Sequence, residues 1–262
     1  IQKDMLPCTF PAFPDREEFD IYAIMEPAKE VGGDFYDFFL VDDTHLAIVI
    51  ADVSGKGVPA ALFMVISKTL IKNQTQPGMP LGDVFTRVNE QLCENNNESM
   101  FVTAFMGVLD LTNGNFEYVN AGHNPPLLKR AEGDFEFLKL RPGFILAGMD
   151  DMSYRSDKIT LTEGDRVYLY TDGVTEATNA RLRLYGDDRL LAALNKDKSM
   201  TLHELLHHIK DDIDVFVGGA DQFDDITMLV MEYRQKCVLL FLHPNLAHHN
   251  RPQILAVNDN RD

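Results

Sequence analysis

Apolar residues along the chain follow two periods, and the periods change in blocks. Runs rich in aromatic and β-branched residues, separated by polar or Gly/Pro connections, predict strands over residues 19–25, 34–41 and 45–53. The last two read as a hairpin through Asp42 and Asp43. From Pro59 the period lengthens: Leu62, Met64, Val65, Ile66, Leu70 and Ile71 predict a largely buried helix with Gly57 and Pro59 at its start. A second helix is expected from Leu81 to about Glu94. Strand-like runs return at 101–111, 115–121, 125–130, 134–140 and 165–172, with a hairpin turn at Asn113-Gly114. Two more helices, 187–195 and 202–217, precede a last strand at 225–233.

Strands in two groups and helices in two groups favour an α+β fold over alternating βαβ units. The expected architecture is a four-layer α/β/β/α sandwich, two antiparallel sheets flanked by helices. Residues 19–233 read as one domain, 1–18 as the end of a linker helix and a lead-in, and 234–262 as a tail of unknown role. In that tail a short apolar run precedes a Pro/Asn/His-rich segment without a period, so an extra strand and a disordered end are expected there. With 262 residues, 45% of them hydrophobic, the chain can bury one large core.

Charge and cysteine content remove several functions. Against 24 Lys and Arg stand 41 Asp and Glu, a net −17 that repels nucleic acid and anionic membranes. No run reaches the roughly 18 apolar residues of a bilayer span. Cys8, Cys93 and Cys237 are widely spaced and form no CxxC pair, which speaks against a disulfide framework or a cysteine zinc site. A cytoplasmic location fits best.

Acidic residues recur where strands begin or end. Asp34 follows Gly32-Gly33, Asp52 precedes Val53-Ser54-Gly55-Lys56-Gly57, Asp172 precedes Gly173, and Asp224-Asp225 lead into the last strand. Singly, each reads as a turn or cap residue. Jointly, strand ends on one edge of a sheet structure can carry distant carboxylates into one cleft. Oxygen-only ligands suit Mg2+ or Mn2+, and a pair of such ions supports in-line phosphoryl displacement by water.

The segments VGGDFYD, ADVSGKGVPAAL, MFVTAFMGVLD, VNAGHNPPLL, LYTDGVTEATN, LYGDDRL and DDITMLVM, in this order, resemble the SpoIIE/RsbU-type bacterial metal-dependent serine/threonine phosphatases of the protein phosphatase 2C superfamily. The resemblance runs from about residue 1 to 233 and implies two divalent cations, Mn2+ or Mg2+. By it, Asp52 bridges both ions and the carbonyl of Val53 adds a ligand, Asp172 and Asp224 hold the deeper ion, and Asp34 supports the second directly or through water. Asp225 is the further candidate ligand. The resemblance also implies hydrolysis of phosphoserine or phosphothreonine without a phosphoenzyme. The implied substrate is a phosphorylated STAS-type anti-sigma-factor antagonist, and an N-terminal sensor domain the implied regulator. Monomer and homodimer both stay open. A phosphatase-like module that binds a partner without catalysis is the alternative from another class.

Other motifs compete less well. Gly55-Lys56-Gly57 is no Walker A loop, because Gly follows the lysine where Ser or Thr is needed. Lys56 is a candidate for a substrate phosphate or an ordinary loop lysine. His123, between Gly122 and Asn124-Pro125, is a candidate substrate contact or a turn residue. Residues 203–207, HELLH, match a zinc-protease pattern. On a helix, however, Leu202, Leu206, Ile209 and Ile213 form the apolar stripe, with His203 and His207 on its flank and Glu204 opposite.

Overall fold

A computed structural model describes residues 2–94, 96–141 and 143–234. In chain order the elements are α1 (Gln2–Met5), β1 (Phe19–Glu26), β2 (Phe35–Asp42), β3 (His45–Val53), α2 (Val58–Gln74), α3 (Leu81–Cys93), β4 (Val102–Asp110) and β5 (Asn115–Ala121). There follow β6 (Leu127–Lys129), β7 (Phe135–Phe137), β8 (Asp157–Thr160), β9 (Arg166–Tyr170), α4 (Asp172–Thr175), α5 (Asp187–Leu194), α6 (Leu202–Val217) and β10 (Ile226–Tyr233). Among the described residues all strand pairs are antiparallel, in two sheets of five ordered β1-β10-β9-β6-β7 and β2-β3-β4-β5-β8.

Period-two alternation sorts the side chains into two cores. On β9, Val167 and Leu169 join the core shared with β2, β3 and β4, while Tyr168 and Tyr170 point the other way, onto α5 and α6. On β10, Leu229 and Met231 lie on the first side, Met228 and Val230 on the second. Helices α2 and α3 pack against β2, β3 and β5, completing the expected α/β/β/α layering.

The differences from the sequence pattern have local causes. Helix α2 is not buried all round: Ala60, Met64 and Ile71 face the sheet, whereas Val58, Leu62 and Ile66, each at least half exposed, form an outward stripe four residues apart. Its apolar residues occupy both faces, which periodicity alone cannot orient. The sequence pattern does not mark strand β8, because its four residues, Asp157-Lys158-Ile159-Thr160, carry few apolar side chains for an edge strand to bury. The run 134–140 yields only the short β7, and 165–172 stops as a strand at Tyr170, so that Asp172 opens α4 instead of ending a strand. Asn113-Gly114 does turn the β4-β5 hairpin, with Gly114 at φ 76°.

Before β1, Leu6 is buried in the larger core and the rings of Phe10 and Phe13 pack on Tyr22, Phe19 and Phe38. Arg234 follows β10 and pairs with Asp20. The expected tail elements lie outside the described residues.

Candidate metal centre

Five aspartates from both sheets meet at one end of the sandwich. Asp34 stands just before β2, Asp52 is the penultimate residue of β3, Asp172 lies in the first turn of α4, and Asp224-Asp225 run into β10. Asp34 is buried, and its Oδ2 accepts hydrogen bonds from Thr171 Oγ1 at 2.7 Å and Thr227 Oγ1 at 2.6 Å. The two threonines are linked by the Thr227 N–H, which donates to Thr171 Oγ1 at 3.2 Å. They precede and follow the acidic motifs, in Thr171-Asp172-Gly173 and Asp224-Asp225-Ile226-Thr227. Their residue type gives no signal in the sequence, since β-branched residues are common in and beside strands.

The carboxylates are held against their own charge. Burial, then the charge of Asp52, lifts the carboxyl of Asp34 well above the usual range. Burial, then Asp172 and Asp224, pushes Asp52 up to about 7. Burial, then Glu176 and Asp224, raises Asp172 as well. Each finding states the same physical fact: several negative charges share a poorly solvated space, a condition that a cation relieves.

Backbone geometry brings the segments together. Both oxygens of Asp225 are engaged by one loop: Oδ1 accepts from the Ala28 N–H at 2.8 Å, Oδ2 from Gly33 at 3.0 Å and Asp34 at 3.4 Å. This loop comes so close that a Cβ on Gly32 would lie 1.7 Å from Asp225 Oδ2, and one on Gly33 would lie 2.7 Å from the Val53 carbonyl oxygen. A Cβ on Gly173 would stand 2.0 Å from the Asp225 carbonyl oxygen. Three of the glycines beside the aspartates therefore permit close approach. Gly55 and Gly57 differ: an added Cβ would meet nothing within 4 Å, and they are needed for their φ of 85° and 79°.

Residues 42–234 match the family of the Stage II sporulation protein E (SpoIIE). The chain belongs to the SpoIIE family. That membership agrees with the resemblance of its motifs to the SpoIIE/RsbU type. It is 35% identical over 259 residues to protein IcfG of Synechocystis sp., covering 88% of this chain and 40% of that protein. It is 31% identical over 219 residues to phosphoserine phosphatase RsbU of Bacillus subtilis, covering 83% of this chain and 64% of that one. This chain thus spans less than two thirds of the length of these relatives. Among solved structures, the RsbU and RsbW domains of a Mycobacterium tuberculosis protein align at a TM-score of 0.69 and 27% identity, over 83% of this chain and 60% of that one.

Within this SpoIIE-family domain, Lys56 reaches across to the last strand's lead-in. Its Nζ lies 3.0 Å from Asp224 Oδ2 and also donates to the Phe223 carbonyl. His123 is buried. Its Nε2 lies 3.1 Å from the Tyr170 carbonyl oxygen, which can only accept, so that nitrogen carries the proton and Nδ1 accepts from Thr103 Oγ1 at 2.8 Å. Thr103 pairs in register with Asp52. His123 is thereby a strut joining the two sheets, between Thr103, the register partner of Asp52, and Tyr170, two residues before Asp172.

The zinc-protease pattern comes apart in space. Glu204 closes a capping box with Thr201, accepting from its N–H at 2.9 Å, while the exposed rings of His203 and His207 stack at 4.1 Å beside Tyr22. Two further ties went unpredicted. Buried Asp37 accepts from Lys68 of α2 at 2.6 Å, fastening that helix to β2. The Gln2 side chain pairs both ways with the Gly32 backbone, at 2.7 and 3.0 Å.

Among the described residues no three His, Cys, Asp or Glu side chains are arranged, as they stand, to hold a metal ion. The donor set nonetheless fits a hard divalent cation. It is all oxygen, with carboxylates whose raised pKa values record unrelieved charge, and the Val53 carbonyl lies beside Gly33. Asp224 Oδ2 is paired with Lys56 as it stands, so the lysine shares this candidate ligand with any cation.

Proposed function

We propose that this domain hydrolyses phosphoserine or phosphothreonine on a protein, in bacterial signalling, with two divalent cations, Mn2+ or Mg2+. The observation that carries the reading is the shared charge of Asp34, Asp52, Asp172 and Asp224, drawn from both sheets into one poorly solvated cleft. Asp52, Asp172, Asp224 and the Val53 carbonyl would hold the cations, with Asp34 supporting them. When bound, the ions neutralise the phosphoryl oxygens and lower the pKa of the attacking water. The protein's part is orientation. Thr171 and Thr227 fix the Asp34 carboxylate, and Asp225 fixes the loop that presents it.

The name of the RsbU relative supports phosphoserine as the target. A STAS-type antagonist of an anti-sigma factor is the substrate we propose, in the cytoplasm. Among the described residues no helix is long and apolar enough to cross a membrane, and Cys8 and Cys93 are free thiols. Control by an attached sensor belongs to the same proposal, since Gln2 grips the Gly32 loop beside Asp34.

The test is release of inorganic phosphate from p-nitrophenyl phosphate, with and without Mn2+, by wild type and Asp52→Asn. Turnover that needs both the metal and Asp52 is expected. Activity retained in Asp52→Asn would refute the assignment. The pairing of Lys56 with Asp224 favours a second reading, a silent phosphatase-like module. Inactivity of wild type under every metal condition, with a phosphopeptide still bound, is its signature.

A further inference from the structure

A cleft of about 450 Å³ opens beside the acidic cluster and shares Gly173 and Asp224 with it. Its inner wall is apolar, formed by the half-buried Ala177 and by Val217 at the end of α6, with the fully buried Ile213 behind them. Leu184 and Phe223 stand on its rim, 58% and 65% exposed. Neither is a side chain on a loose tip. Leu184 closes a turn through its bridge to Thr178, and the next two N–H groups, of Tyr185 and Gly186, donate to Ala177 and Thr175 at 2.8 and 2.9 Å. Phe223 follows Gln222, whose side chain donates to the carbonyls of Glu26 and Asp224 at 2.9 and 2.8 Å. Exposed apolar groups held in place around a concave wall are the makings of a recognition surface.

Among the described residues the charged side chains lining this cleft are acidic, Glu176, Asp214, Asp221 and Asp224; Asp214 pairs with Lys210 at 2.7 Å and Asp224 with Lys56 at 3.0 Å, while Glu176 and Asp221 form no ion pair. A phosphorylated segment brings nearly two negative charges of its own, and the chain it approaches carries a net −17. A segment that also supplies positive charge, to face Glu176 and Asp221, suits this mouth better than one that is acidic throughout.

Building on the phosphatase reading, we propose that the cleft seats the stretch of protein substrate flanking the phosphoserine, and that this stretch carries an aliphatic side chain together with Lys or Arg. The aliphatic group packs on Ala177 and Val217 under Leu184 and Phe223. The cation faces Asp221 and Glu176, while continuity of the cleft with Asp224 directs the phosphoryl group to the acidic cluster.

The test uses fluorescence anisotropy with two labelled peptides bearing a non-hydrolysable difluoromethylene-phosphonate analogue of phosphoserine, in the presence of Mn2+. One peptide has Leu and Arg flanking the analogue on both sides; the other has Ala and Glu. Wild type should bind the first roughly tenfold more tightly or better, the scale of one buried aliphatic side chain. Leu184→Asp and Asp221→Lys, checked for an unchanged thermal midpoint, should each remove most of that preference. Equal binding of the two peptides by wild type, or full preference in both variants, would overturn the proposal. A dimer in sedimentation that Leu184→Asp dissociates would assign the face to a second copy instead, and would overturn it equally. Wild-type turnover of p-nitrophenyl phosphate, measured in parallel, judges the phosphatase reading separately, because peptide discrimination is read without catalysis.

Discussion

The N–H of Gly33 donates to Oδ2 of Asp225 at 3.0 Å, joining residues 192 positions apart. Through this bond the last strand's lead-in shapes the loop that presents Asp34. Asp225→Ala should leave the Ala28, Gly33 and Asp34 N–H groups without an acceptor, at a cost of about 2–4 kcal/mol. Urea unfolding should show it as a lower midpoint with an unchanged slope. Gly32→Ala should behave alike, since its Cβ would displace the same carboxylate.

Asp52 gives stability a pH dependence of defined sign. Its folded-state pKa, about 7, exceeds that of an unfolded aspartate, about 4. The folded form then holds more protons between these values, so this contribution is full below pH 4 and is lost as pH rises through 7. In EDTA, wild type minus Asp52→Asn should therefore lose stability across that window and stay flat above it. A difference that rises with pH would contradict the burial and like-charge origin of the shift.

Divalent cations should reverse that penalty. Millimolar Mn2+ or Mg2+ is expected to raise the thermal midpoint of wild type by mass action and to leave Asp52→Asn nearly unmoved. Lys56→Met frees the Asp224 carboxylate, so calorimetry should report tighter Mn2+ binding in this variant. Weaker binding would show that Lys56 orients Asp224 for the metal instead of competing with it.

Removing the strut at His123 should act at a distance. Burial pushes its pKa down to about 4, so the ring is neutral in the fold and its contribution is complete above about pH 6.5, fading as pH falls toward 4. His123→Ala should cost about 2–3 kcal/mol through lost hydrogen bonds and a cavity. Phosphate release should fall with it, and KM for p-nitrophenyl phosphate should change less than kcat, because the ring acts through Tyr170 and Thr103.

The HELLH histidines should prove dispensable. His203→Ala is expected to keep phosphate release, while Thr201→Ala, which opens the capping box, should lower the thermal midpoint by a few degrees.

Elements and their order were legible in the sequence because strand and helix periods are local properties, carried by neighbouring side chains such as those of β3, β9 and α6. The candidate aspartates were legible for the same kind of reason, since an acidic residue beside glycine at the edge of an apolar run stands out without any knowledge of its partners. Only the tertiary structure decided what each does. The outward stripe of α2 depends on which face meets the sheet. Thr171 and Thr227 gain meaning only when β9 and β10 lie side by side beneath Asp34. Asp225, alike in type to Asp224, differs in role because its oxygens meet the N–H groups of a loop nearly two hundred residues away. Sequence period fixes which residues share a face; the docking of one sheet on the other determines which faces, and which charges, meet.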